Sequence, residues 1–193
     1  MPSKPLMKFS FPTFLFFVLL VAFGRNFLLF IPFAAALLHE IGHLIVMLIC
    51  NQSVREITIL PFGIDIKKSH SISSYKADIA VSAAGIMVNS LMIALCNILP
   101  ESAAVELFKQ SNVVLLVINV LPIKTLDGGQ ILEKILLLFL APNTVEKIIG
   151  FCSFVCIIIV GSVAIWVLFY SGYNFTLLFM CMYLFAGVFL KSN

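Results

Sequence analysis

The chain has 193 residues, of which 62% are hydrophobic and 11% charged, and its mean hydropathy is +1.14. Soluble domains are about half apolar and about a quarter charged, so this composition excludes an ordinary soluble domain and fits an integral, multi-pass membrane protein. The formal charge of +3 is small and its 12 Lys and Arg are scattered, which excludes a nucleic-acid-binding surface.

A bilayer core asks for about 20 apolar residues per helix, and the sequence predicts about six such spans, at 9–24, 27–50, 77–99, 113–140, 147–170 and 174–190. The fold class expected is therefore an all-α polytopic membrane protein. The first apolar run follows Lys4 and Lys8 and ends at Gly24-Arg25-Asn26 with no small-x-small cleavage site, so it reads as a span rather than a signal peptide. The second carries His39-Glu40-Ile41-Gly42-His43 in its middle.

After the second span, residues 54–68 alternate apolar and polar on both sides of Leu60-Pro61-Phe62-Gly63. That pattern predicts a small β-hairpin. It is either a plain connector or an element lying at the membrane face, and its apolar tip beside the second span favours the membrane face. The fourth block is interrupted by Lys124-Thr125-Leu126-Asp127-Gly128-Gly129-Gln130. Lys4 and Lys8 precede span one, while Arg55, Lys67, Lys68 and Lys76 follow span two; this bias predicts a cytoplasmic N-terminus and a cytoplasmic loop there. With about six spans the C-terminus is cytoplasmic too, and the segment 100–112, with Glu101 and Glu106, lies outside. The five cysteines form no CxxC pair and read as small packing residues, including Cys152 and Cys156, which share a helical face but have no His or acid nearby.

His39 and His43 stand four residues apart and share one helix face, so their imidazoles can converge on one Zn²⁺ with Glu40 beside the bound water. Burying three ionisable groups in hydrocarbon costs several kcal/mol unless they are paired or ligated, and such residues in a span are functional by default. Two histidines leave a catalytic zinc one protein ligand short. Two residues are candidates for that place. His70 is the remaining histidine but lies in a Ser-rich polar loop; Asp127, the acid inside the fourth apolar block and next to Gly128-Gly129, is the better one.

These residues resemble the site-2 proteases, a family of intramembrane zinc metalloproteases. The resemblance rests on His39-Glu40-Ile41-Gly42-His43 and on Asn119, Pro122, Asp127 and Gly128, which match the family's N-x-x-P-x-x-x-x-D-G pattern. It also rests on Gly85 and Asn89, which resemble its G-P-x-x-N, with Ile86 where the family usually has Pro. The resemblance implies one Zn²⁺ per chain on His39, His43 and Asp127, with Glu40 as general acid and base. It further implies substrate contacts from Asn119, Asn89 and Pro122, and the hairpin around Leu60 and Phe62 is expected to pair with the extended substrate. Leu60-Pro61-Phe62-Gly63, Leu121-Pro122-Ile123 and Leu126-Asp127-Gly128-Gly129 are most similar to the sporulation branch, a member of which cleaves a membrane-tethered sigma-factor precursor.

The expectation is thus a single intramembrane protease domain over residues 1–193, without the PDZ or CBS modules that accompany such enzymes. It would sit in a bacterial cell membrane with its active site opening to the cytoplasm. Its partners would be the lipid bilayer, a single-span or membrane-tethered substrate, and a membrane-protein inhibitor or a second copy of the chain. Two other readings use the same residues. A CaaX-type membrane protease differs in motif order, and a metal-binding or transport protein would use the His and Asp cluster without needing Glu40.

Overall fold

The computed structural model describes residues 6–9, 27–51, 54–60, 63–68, 74–172 and 175–189. In chain order these form strand β1 (Leu6–Phe9), a 3-10 turn (Phe27–Phe30) leading into helix α1 (Ile31–Ile49), and strands β2 (Val54–Leu60) and β3 (Gly63–Lys68). Helices α2 (Tyr75–Cys96), α3 (Ala103–Val120), α4 (Asp127–Leu136), α5 (Pro142–Ser171) and α6 (Thr176–Phe189) follow. Four of them, α1, α2, α3 and α5, are long and apolar enough to cross a membrane; α6 is apolar and 14 residues long. The chain is a multi-pass membrane protein, and it divides into two compact units, residues 1–117 and 118–193.

In the first unit, α1 starts with Pro32 in its first turn, where a missing N–H costs nothing and the fixed φ suits a helix. It stops at Asn51, whose φ of 51° is left-handed and whose N–H donates to the Leu48 carbonyl at 3.1 Å; Asn tolerates that conformation better than most residues. α1 packs on α2 through small side chains. A Cβ on Gly42 would stand 2.7 Å from Val88 Cγ2 and 3.2 Å from the Ala84 carbonyl oxygen, so the backbones approach closely, as small residues allow in membrane helices. Ala35, Met47, Val81 and Ala84 fill the buried seam, while Leu37, Ile45 and Leu48 face outward.

The three strands form one sheet in the order β1-β2-β3. β2 and β3 are antiparallel, with Ile57 opposite Ile66, Ile59 opposite Ile64 and Leu60 opposite Gly63. β1 joins in parallel, Leu6 opposite Glu56 and Phe9 opposite Ile59. Nothing in the sequence marks Leu6–Phe9 as a strand, because parallel pairing is made with residues far along the chain. Pro61 and Phe62 lie outside the described residues, as does the expected first span beyond Phe9.

The expected span 113–140 is not a single helix. α3 begins at Ala103, inside the segment expected to be a loop, because Ser102 caps it. The Ser102 hydroxyl accepts the Val105 N–H at 3.2 Å, and Glu106 in the first turn bonds Gln110 one turn later at 2.9 Å. These are ordinary helix-start signals, hidden when only apolar residues are counted. After Val120 the chain turns and restarts as α4 at Asp127.

In the second unit, Ile123 from that turn is fully buried against Ile157 of α5 and Leu184 and Val188 of α6, with Leu121, Leu126, Cys156 and Met180 around them. α5 opens on Pro142 and closes on Gly172, whose φ of +72° is left-handed and whose N–H reaches the Leu168 carbonyl at 2.8 Å. Ile123→Ala should destabilise this unit by about 2–5 kcal/mol through the cavity it leaves, read as earlier thermal unfolding in detergent. Phe169, which is 84% exposed, should tolerate Ala with little change.

Candidate metal centre

The i, i+4 spacing of the two histidines on α1 becomes a meeting of ring nitrogens. His39 Nε2 lies 3.1 Å from His43 Nε2, and the rings are edge-on, with centroids 4.7 Å apart and planes at 86°. Both side chains are buried, at 5% and 8% exposure. Their other nitrogens are occupied by α2. His43 Nδ1–H donates to the Val81 carbonyl at 2.7 Å, which leaves His43 Nε2 with a lone pair, and His39 Nδ1 meets Asn89 Nδ2 at 3.0 Å.

The space beside the two Nε2 atoms is kept by Gly85. A Cβ there would overlap His39 Cε1 and stand 2.7 Å from His39 Nε2. Gly85 and Asn89 are themselves one turn apart on α2, so each helix contributes an i, i+4 pair to the same contact.

A tetrahedral zinc with Zn–N bonds of about 2.0–2.1 Å holds two nitrogens about 3.3 Å apart. The observed 3.1 Å fits such an ion, so the histidine pair can serve as half of a zinc site. Glu40 is the next residue after His39 and is half-buried.

Asp127 is the first residue of α4 and is 8% exposed. Its position follows from the turn before it. The Ile123 N–H donates to the Leu121 carbonyl and the Leu126 N–H to the Ile123 carbonyl, each at 2.8 Å. The Lys124 N–H donates to the buried Ser153 hydroxyl of α5 at 2.9 Å, and Lys124 Nζ pairs with Glu146 at 3.4 Å. Gly128 and Gly129 admit the turn's carbonyls, since a Cβ on either would overlap the Val120 or Ile123 oxygen. Asn119, in the last turn of α3, and Pro122, in the turn, are half-buried. Leu60 ends β2, whereas Phe62 and His70 lie outside the described residues.

Sequence reasoning missed Ser153, which has no motif around it, and the Val81 carbonyl, which no side-chain pattern can mark. It registered Gly85 and Asn89 without their target. Their own helical spacing, matching that of His39 and His43, is the signal that could have found it.

The helical architecture has a counterpart among solved membrane-protease structures. The structure is similar to the Site-2 Protease from Methanocaldococcus jannaschii with a TM-score of 0.65 and 18% identity, covering 100% of this chain and 94% of that one. By sequence the chain is 30% identical over 102 residues to Stage IV sporulation protein FB of Bacillus subtilis (strain 168). That match covers 50% of this chain and 35% of the relative, so it spans about a third of the curated protein's length. No family model matches the chain. The first likeness is one of fold, and the second reaches only part of each chain.

The geometry predicts that Gly85→Ala displaces both imidazoles and lowers bound zinc sharply, measured by elemental analysis of purified protein. Gly150→Ala should leave it unchanged, because nothing lies within 4 Å of a Cβ there.

Proposed function

We propose that the chain is an intramembrane zinc metalloprotease that cuts a peptide bond in or near a transmembrane segment of a membrane-tethered protein. The observation that carries the reading is the convergence of the His39 and His43 Nε2 atoms, 3.1 Å apart, inside an apolar helix with Glu40 adjoining. Asp127 is the third ligand in this proposal. His39, His43 and Asp127 each offer one ligand atom and each is buried, and imidazole and carboxylate are donors that catalytic zinc takes. The likeness to a site-2 protease in fold and to a sporulation protein in sequence supports the same class.

A zinc ion held by His39, His43 and Asp127 would supply Lewis-acid chemistry and an activated water near neutral pH. Glu40 takes the proton of the attacking water and delivers it to the leaving amine. Asn119 and Pro122 hold the substrate backbone near the scissile bond. A transmembrane helix hides its peptide groups in its own hydrogen-bond ladder, so the substrate has to unwind before attack, and the freed groups need partners. β3 has an edge with no strand beyond it among the described residues, and an extended substrate adds there by β-augmentation, with Leu60 and Phe62 as the proposed contacts. The substrate class we propose is a sigma-factor precursor tethered to a bacterial membrane, entering a site open to the cytoplasm.

Glu40→Gln should keep a full zinc complement and lose cleavage of such a precursor by at least about 10²-fold, since acid and base roles are worth about 10²–10⁴ each. Near-normal cleavage in this variant would sink the protease mechanism and favour a metal carrier. Asp127→Ala should lose zinc and activity together; full retention of both would move the third ligand elsewhere, with His70 next. Neighbouring strand residues point their N–H groups in opposite directions, so Pro at Asp65 and Pro at Ile66 differ in whether β3 loses an outward donor. One of the two should slow cleavage of a helical substrate well below that of an unwound, Gly-rich one, and equal rates for both substrates in both variants would leave the sheet a structural element only.

A further inference from the structure

Asn89 carries more than the fold requires. Its side chain is fully buried on α2, a costly place for a carboxamide unless it is bonded. One end meets His39 Nδ1 at 3.0 Å, while its Oδ1 has no hydrogen-bond partner. No substrate can reach a side chain with no exposed surface without displacing its neighbours, so its placement argues for a role directed at His39.

The hydrogen bonds around it run in one consistent direction. His43 Nδ1–H donates to the Val81 carbonyl, so His43 Nε2 accepts. His39 Nε2–H, 3.1 Å away, is then the donor to it, and His39 Nδ1 accepts from Asn89 Nδ2. The His39 proton then sits on Nε2, the atom that ligation would use. Ligation through His39 Nε2 needs the other tautomer, with the proton on Nδ1, and that proton needs an acceptor.

We propose that Asn89 is a positioning residue for His39. Its carboxamide stands against His39 Nδ1, and a turn of the amide lets Oδ1 accept the Nδ1–H when zinc is bound. The two ends are nearly the same size, so a half-turn of the amide changes the bond's direction without repacking the α1–α2 seam. This rests on the reading that His39 and His43 hold zinc through Nε2. Asn89 is in that case a support for a ligand, and the substrate contact expected of it from sequence belongs to other residues.

The test uses the full chain purified in detergent, with zinc affinity measured by competition against a chelator and with Co²⁺ substituted to read ligand geometry from its visible spectrum. Asn89→Leu keeps the volume but removes the acceptor and should weaken zinc by about 10–100-fold, with a shifted Co²⁺ spectrum. Asn89→Asp keeps an acceptor toward His39 and should bind zinc at least as well as the unaltered chain, with an unshifted Co²⁺ spectrum. If Asn89→Leu binds zinc as tightly as the unaltered chain, the residue only fills space and the proposal is overturned. If Asn89→Asp loses zinc as badly as Asn89→Leu, the amide nitrogen is what His39 needs, and the acceptor role is overturned. Failure of the unaltered chain itself to bind zinc or Co²⁺ would instead remove the metalloprotease reading on which this rests.

Discussion

Polar side chains inside hydrocarbon must satisfy one another, and in this protein that requirement falls on the seam between α1 and α2. Two imidazoles and a carboxamide are buried there among apolar residues, at a cost of several kcal/mol if left unbonded. The seam meets the requirement by close approach. Gly42 lets Val88 and Ala84 come in, Gly85 leaves room for the rings, and the Val81 carbonyl and Asn89 hold their outer nitrogens. Any widening of the seam would break all of these bonds together, which is why small residues stand where larger apolar ones would bury more surface.

The second unit meets a different constraint. Between α3 and α4 the chain makes a turn whose backbone groups have no helix to pair with. They are served by the turn's own carbonyls and by the Ser153 hydroxyl, while Ile123 anchors the turn in a fully apolar cluster. Such irregular backbone at membrane depth is tolerated only when it is buried in protein or lines a cavity. The turn ends on Asp127, so the same bonds that make it permissible fix the direction in which α4 sets out.

How much of this is legible in the sequence depends on the range of the interaction. The His39 and His43 pairing rests on spacing within one helix and can be read directly; a break near Lys124 can be read too, but it falls at 121–126, and Asp127–Gln130, expected to interrupt the helix, already belong to α4. Hydropathy misjudges 113–140 because it counts apolar residues and is blind to the Ser102 cap and the Pro122 turn. β1 is invisible because its partner in β2 is about fifty residues away. Gly85 and Asn89 can be recognised as a pattern, but what they touch is a property of two helices packed together, and no single helix carries it.

The length of α5 carries a consequence of its own. Lys147 stands near its start, and Trp166 stacks on Tyr170 near its end with centroids 5.7 Å apart, both aromatic rings largely exposed. Charged groups and such aromatic pairs settle at the two surfaces of a bilayer. The nineteen steps from Lys147 to Trp166 rise about 28 Å at about 1.5 Å each, close to the roughly 30 Å of a hydrocarbon core. α5 therefore works as a depth gauge. Ser153, six residues past Lys147, lies about 9 Å below that surface on this scale, and the turn it holds lies at the same level. Asp127, which follows that turn, therefore lies only about a third of the way into the membrane from the face on which Lys147 sits.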